Sequence, residues 1–163
     1  MAITSNLYPP IVQDTLPAFI RTKSCRIYFS LSTYNSLEEI KNVQISLVNL
    51  QTNISAFKTD IYPSGIKITN IVPDFETYDD YNYYVQINPA DLVENSFELG
   101  QFYKIQLRFT SINAKDPPSN GPALATWLYE NTPYFSEWSK VCLIKGIEQP
   151  IISIRGFDNS NNN

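Results

Sequence analysis

One segment, residues 97–109, alternates apolar and polar side chains so regularly that it restricts the fold around it. Its apolar positions share one parity and are Tyr103, Ile105, Leu107 and Phe109, whereas its polar positions are Lys104, Gln106 and Arg108. Successive side chains of a strand point to opposite faces, so this segment predicts a strand with one buried and one solvated face. Such a strand indicates a layered β fold.

The residues in front of this strand suggest how it begins. Leu99, Gly100 and Gln101 supply a turn, and Tyr103 opens the strand with apolar Phe97 and Leu99 upstream. A tyrosine in this place is typical of the tyrosine corner of a β-sandwich.

Further segments alternate in the same way and are separated by turn residues. They are residues 24–32, 40–49, 54–58, 66–69, 83–87 and 138–144. Together with 97–109 they predict about seven short strands, a spacing typical of a sandwich and not of β-α-β units. In the segment 40–49, we expect Val43, Ile45 and Leu47 to face the interior. We expect Asn42, Gln44 and Ser46 to face solvent.

The composition argues against catalysis. The chain contains no histidine, which removes the commonest general base and metal ligand. Its two cysteines are too few for a cysteine-only zinc site, and its five glycines are scattered and form no phosphate-binding loop. We therefore expect a protein that is not an enzyme and has no catalytic residue, no metal and no cofactor.

Charge and hydropathy exclude other classes. The net charge of −4 and the lack of a Lys/Arg cluster predict no nucleic-acid partner, and no apolar run is long enough for membrane insertion. Residues 1–6 lack the basic start and apolar core of a secretory signal, which predicts synthesis in the cytoplasm. In that reducing compartment Cys25 and Cys142 are expected to be free and buried, with a bridge between strands as the alternative.

Residues 1–22 are predicted to form an extended N-terminal arm. Pro9, Pro10 and Pro17 punctuate an otherwise apolar stretch, and proline excludes both a helix and a central strand. Two interpretations stay open: an edge strand that closes the domain's own sandwich, or an arm that docks on a neighbouring subunit. The interface candidates of the arm are Tyr8, Ile11 and Phe19.

Residues 113–134 are too apolar for a disordered loop. A rigid turn at 116–122 is followed by apolar side chains at helical spacing. One hypothesis is a lid folded over the end of the sandwich, and the other is a docking knob anchored by Trp127. The interface candidates of this insertion are Leu124, Trp127, Leu128 and Tyr129.

Acidic and aromatic residues are interleaved in residues 73–84. The carboxylates belong to Asp74, Glu76, Asp79 and Asp80. They either form a solvated loop, the favoured interpretation, or hold calcium, although the spacing matches no calcium loop. Because tyrosine offers a rigid ring with a polar tip, Tyr78, Tyr81 and Tyr84 are candidates for a contact surface or for sugar stacking.

The last two predicted strands carry a family resemblance. The segment 97–109 and the later run Phe135-Ser136-Glu137-Trp138-Ser139-Lys140-Val141 resemble the last two strands of a fibronectin type III or related immunoglobulin-like module. The resemblance implies an all-β, immunoglobulin-like (fibronectin type III-like) two-sheet sandwich over residues 23–147.

Residues 148–163 are predicted to be a linker followed by an apolar segment at 151–154. That segment either opens a further module, pairs with another subunit or is a simple tail. Together with the arm and the module, it resembles N-terminal regions of bacteriophage tail and baseplate proteins. This resemblance implies a virion structural protein, made in the host cytoplasm, whose partners are other virion proteins and copies of itself. The alternative function is a module that binds carbohydrate or the host surface, with a host-surface glycan as partner.

Overall fold

The structure is a computed structural model that describes residues 7–14, 19–119 and 121–148. It contains nine strands and one α-helix in this part of the chain. The strands are β1 (Ile11–Val12), β2 (Phe19–Ile20), β3 (Cys25–Ser30), β4 (Ile40–Asn49), β5 (Ile66–Thr69), β6 (Val72–Pro73), β7 (Tyr83–Ile87), β8 (Phe102–Ser111) and β9 (Cys142–Ile147). The helix α1 spans Gly121–Asn131. The predicted all-β class is confirmed.

The strands form two packed sheets. The four-stranded sheet has the order β1-β3-β7-β6, and the five-stranded sheet has the order β2-β9-β8-β4-β5. All neighbours are antiparallel except β2 and β9, which run parallel. Strands β4 and β8 form the longest ladder, in which Ile45 lies opposite Leu107 and Leu47 lies opposite Ile105.

The core lies between the sheets and consists of apolar side chains that the alternation predicts to face inward. The four-stranded sheet contributes Ile27, Phe29, Val85 and Ile87, and the five-stranded sheet contributes Val43, Ile45, Leu47, Ile105, Leu107 and Phe109; all are fully buried. Packing between the two sheets removes these side chains from water, which is the main favourable term in folding.

Tyr103 is tied to the turn in front of its strand. Its hydroxyl accepts a hydrogen bond from the backbone N–H of Glu98 at 2.8 Å, and its ring packs edge-on against Phe97 with the ring centres 5.1 Å apart. Gly100 adopts a φ of 79° in this turn, a left-handed conformation that glycine enters without a Cβ clash. This is the backbone contact that defines a tyrosine corner.

The described part of the arm pairs with its own sandwich. β1 extends the four-stranded sheet beside β3, and β2 extends the five-stranded sheet beside β9. The side chain of Arg21 holds the end of the arm by donating to Ser96 Oγ and to the carbonyl oxygen of Phe97. The edge-strand interpretation is thus confirmed for 11–12 and 19–20, whereas 15–18 lie outside the described residues.

Two predicted strands differ from the observed ones. In 54–58 only isolated bridges form, from Ser55 to Val48 of β4 and from Phe57 to Leu92 in the turns after β7, so the segment is not a continuous strand of either sheet. The final strand begins at Cys142 and not at 138, because before it serine hydroxyls take the place of the backbone acceptors, although both serines still donate their backbone N–H groups to β8. Ser136 Oγ accepts from the N–H of Phe109 at 2.9 Å, and Ser139 Oγ accepts from that of Leu107 at 3.0 Å.

The prediction that the polar side chains of β4 face solvent is wrong for the first half of the strand. Gln44 is completely buried and Asn42 nearly so, although both lie on the polar parity. The outer face of the sheet is covered here by the insertion, which the sequence pattern of β4 alone does not reveal.

Both cysteines are free and buried, as predicted. Burial, together with the nearby Cys142, raises the pKa of the Cys25 thiol to about 12. The linker and the apolar segment predicted for 149–163 lie outside the described residues.

Candidate functional site

The insertion forms a second, smaller core on the outer face of the five-stranded sheet. Its buried members are Ala114, Leu124, Trp127 and Phe135, and Ile68 of β5 packs against them from the sheet. The indole Nε1–H of Trp127 donates to the carbonyl oxygen of Lys115 at 2.8 Å. Asn131 then links the same loop to the helix, because it accepts from the N–H of Lys115 and donates to the carbonyl oxygen of Trp127.

This placement separates the four candidates of the insertion. Leu124 and Trp127 are buried within their own chain, Leu128 is partly buried, and Tyr129 is 85% exposed. The insertion is therefore a lid, but it covers the outer face of a sheet and not the end of the sandwich. Trp127 anchors the lid itself, and the docking prediction remains open only for Leu128 and Tyr129.

A cluster of aromatic and polar side chains surrounds Arg108 in the same region and was not predicted from the sequence. The Arg108 guanidinium lies between two rings, 4.6 Å from the centre of Phe135 and 4.2 Å from that of Trp138. Its Nε donates to Gln44 Oε1 at 2.7 Å, and Gln44 Nε2 donates to Thr110 Oγ1. Burial lowers the pKa of Arg108 to about 10, an effect that the charge of Glu137 partly offsets.

A sequence signal for this stack was present. An aromatic residue followed by serine occurs twice at a spacing of three, as Phe135-Ser136 and Trp138-Ser139. The serines bind the backbone of β8 and the rings enclose the Arg108 side chain of the same strand. The stack is structural, since Arg108 Nε and both serine hydroxyls bind groups of their own chain.

The other half of the same sheet face is open. We call it the lysine face and define it by the outward side chains of β4, β8 and β9 beyond the lid: Val48, Leu50, Phe102, Lys104, Leu143 and Lys145. The ladder sets Lys104 beside Val48 and Leu143, and Phe102 beside Lys145. The ammonium of Lys145 lies 5.2 Å from the ring centre of Phe102, and Leu50, Phe102 and Leu143 are exposed.

The surface tyrosines lie on the outer face of the four-stranded sheet, and two of the three come together. The rings of Tyr78 and Tyr84 pack against buried Tyr28, at 4.8 and 5.4 Å between centres. The guanidinium of Arg26 sits 4.2 Å above the ring of Tyr84. Tyr81 is partly buried and makes no ring contact with this group.

The Arg26 guanidinium therefore already covers one ring face of Tyr84. The cluster of Tyr28, Tyr78 and Tyr84 leaves less open ring surface than the stacking of a sugar requires. The open aromatic ring of this region is that of Phe75, which is 65% exposed and is not one of the three candidate tyrosines. It borders a shallow concavity of about 360 Å³ together with Arg26, Asp74 and Tyr84. The carbohydrate alternative stays a prediction.

The acidic loop that carries Phe75 is internally braced. Asp74 accepts hydrogen bonds from the backbone N–H groups of Glu76 and Thr77, from the Thr77 hydroxyl and from the Tyr28 hydroxyl. These bonds, led by that of the Thr77 hydroxyl, hold the pKa of Asp74 near 2. Within the described ranges no group of three or more potential ligands is arranged to hold a metal ion.

The arm candidates lie in different environments. Phe19 is partly buried and packs edge-on against Phe97, with ring centres 4.7 Å apart. Tyr8 and Ile11 are exposed, and the ring of Tyr8 lies 5.1 Å from that of Tyr34. A role for Tyr8 and Ile11 in binding a neighbour stays a prediction.

No family model matches the sequence, and none of the curated proteins matches it significantly. Among the described residues, no helix is both long and apolar enough to span a membrane.

Proposed function

We propose that this chain is an immunoglobulin-like structural module of a bacteriophage tail or baseplate, that it is not an enzyme, and that it acts through protein–protein contacts. The observation that supports the immunoglobulin-like assignment best is the strand order. With β1 and β2 as a divided first strand, the orders β1-β3-β7-β6 and β2-β9-β8-β4-β5 correspond to the two sheets of that fold. The Tyr103 corner at the start of β8 supports the same assignment.

The use of the charged groups favours a scaffold over a catalyst. The best-shielded ion pair, Lys67 with Asp91 at 2.6 Å, joins the edge strand β5 to the turn after β7 and so ties the two sheets together. The Lys67 ammonium also donates to the carbonyl oxygen of Gln86, and Tyr62 donates to the second oxygen of Asp91. Each of these groups is satisfied within the chain, which leaves none poised for proton transfer to a substrate.

The virion setting is supported by the sequence resemblance and not by the fold, because one fold serves many functions. An immunoglobulin-like module with large exposed side chains on one sheet face suits assembly into a multi-protein particle. Copies of itself and other virion proteins are the partners that this setting implies.

Particle analysis tests the proposal. Phage particles from a host that carries this sequence would be purified on a density gradient and probed with antibody raised against the recombinant chain. We expect the chain to band with intact particles, with gold label on the tail or baseplate. Recovery of the chain only in the soluble lysate, with particles free of it, would overturn the virion assignment.

A further inference from the structure

We propose that the lysine face binds the acidic loop of residues 74–81 of a second copy of this chain, so that copies associate head to tail. This inference deepens the proposed function and rests on it, because it assigns one of the contacts through which the module assembles. Nothing else in the described residues covers this half of the sheet.

The lysine face is an unpartnered sheet surface with one sign of charge. Its two charged side chains, Lys104 and Lys145, are both cationic, and no carboxylate lies among its outward side chains. Apolar Phe102 and Leu143 lie between them and are about half exposed. Neither lysine belongs to an ion pair within the described part of the chain, so both charges are available to a partner.

The acidic loop carries the complementary chemistry. Glu76, Asp79 and Asp80 are exposed and take part in none of the ion pairs among the described residues. Phe75 stands beside them as the apolar anchor. Because the Asp74 hydrogen bonds already order the loop, binding would cost little additional conformational entropy.

The positions of the two surfaces dictate the geometry of association. The acidic loop packs through Tyr78 on the outer face of the four-stranded sheet, whereas the lysine face is the outer face of the other sheet. Contact between two different surfaces is heterologous and generates rings or filaments. A symmetric contact between two lysine faces would instead bring four ammonium groups together, which like-charge repulsion disfavours.

Charge reversal tests the pairing. One variant carries Lys104→Glu and Lys145→Glu, and the other carries Asp79→Lys and Asp80→Lys. In sedimentation velocity of the full chain over a range of concentrations, we expect wild type to associate more weakly as salt rises. Each variant is expected to lose association at least about tenfold, the scale on which close charge pairs act across interfaces.

Mixing the two variants gives the decisive measurement. Within each variant the face and the loop carry the same charge and repel each other. In the mixture, the basic loop of the Asp79→Lys/Asp80→Lys variant meets the acidic face of the Lys104→Glu/Lys145→Glu variant. The unchanged loop and the unchanged face of the two variants also attract each other. We therefore expect the equimolar mixture to recover association. Matched controls reverse charges elsewhere, as Lys23→Glu with Lys115→Glu and as Glu38→Lys with Asp60→Lys, and should associate as wild type does; circular dichroism confirms that every variant is folded.

Three results would overturn the inference: a wild-type chain that stays monomeric at all concentrations, variants that associate normally, or a mixture that does not recover. None of these would remove the chain from purified particles. Failure of this contact is thus distinguishable from failure of the virion assignment.

Discussion

The outer face of the five-stranded sheet is covered over one half and open over the other, although the same strands build both. In the covered half, Arg108 and Gln44 are enclosed by the lid and by the rings of Phe135 and Trp138. In the open half, Lys104 and Phe102 occupy the same parity of the same strand β8 and face outward. The difference comes from the segment after β8, which folds back over only part of the sheet.

A polar parity in a strand therefore does not by itself identify a solvated face. A polar side chain can be buried if its polar groups find partners, as Gln44 does by accepting from Arg108 and donating to Thr110. The open half has no such partners from its own chain. Four changes test how different the two halves are.

The largest effect is expected for Trp127→Ala beneath the lid. The substitution leaves a cavity in the second core and orphans the carbonyl oxygen of Lys115, so we expect a loss of about 3–5 kcal/mol in the free energy of unfolding. Urea denaturation measures it. The control Tyr129→Ala, on the exposed side of the same helix, should change stability by less than about 0.5 kcal/mol. Equal losses for both would show that the lid is not a packed core.

The partly buried ion pair of Lys67 and Asp91 contrasts with the unpaired lysines of the open half. Burial raises the pKa of Asp91, but hydrogen bonds from Lys67 and Tyr62 outweigh it and leave the pKa below its usual value. Asp91→Asn should therefore cost about 3 kcal/mol at neutral pH, because it leaves the Lys67 charge poorly compensated.

The pH dependence of this loss follows from the sign of the shift. Because the pKa of Asp91 is lower in the folded state, its carboxylate stabilises the fold at any pH above the unfolded-state pKa of about 3.9. This stabilisation disappears as the pH falls through the folded-state pKa. The stability difference between wild type and Asp91→Asn should shrink on acidification. A difference that grows towards low pH would contradict the assignment.

A smaller effect is expected for Arg108→Lys in the covered half. Lysine keeps the charge but loses the planar stacking between the two rings and the directed bond to Gln44, so we expect a loss of about 1–2 kcal/mol in urea denaturation. Lys104→Arg, on the same strand in the open half, is the matched control and should leave stability unchanged. Equal stability of the Arg108→Lys variant and wild type would indicate that neither the ring stacking nor the bond to Gln44 stabilises the fold.

The smallest effect on stability is expected for Leu143→Ser in the open half. Its side chain is about half exposed, so its removal should cost less than about 0.5 kcal/mol. Its effect should appear in association, which sedimentation velocity measures, because it removes an apolar contact from the proposed interface. A large loss of stability would show that this half is covered by the chain's own residues.

Much of the architecture was predictable because it depends on local periodicity. The alternation in residues 24–32, 83–87 and 97–109 identified the inward-facing positions, although Tyr28 on the outward parity is also buried, and the turn with Tyr103 identified the start of β8. Prolines in the arm excluded a central strand, and the structure places β1 and β2 at sheet edges.

The candidate surfaces were predicted less completely. The helical spacing in the insertion identified Leu124 and Trp127 as a set, but not which surface they would cover. Tyr78 and Tyr84 lie together against Tyr28, whereas Tyr81 does not join them, and the Arg108 stack was not predicted. These contacts join residues distant in the chain, and no local pattern encodes them.

The sequence by itself determined which side chains of each strand face inward, because the two-residue period of a strand is a local property of the backbone. It also determined that histidine chemistry is absent. Only the tertiary structure decided that Gln44 is buried and that Arg108 is stacked between two rings while Lys145 is exposed, because burial depends on which distant segment packs against a face. The same strand therefore contributes both to a second core and to the surface that we assign to assembly.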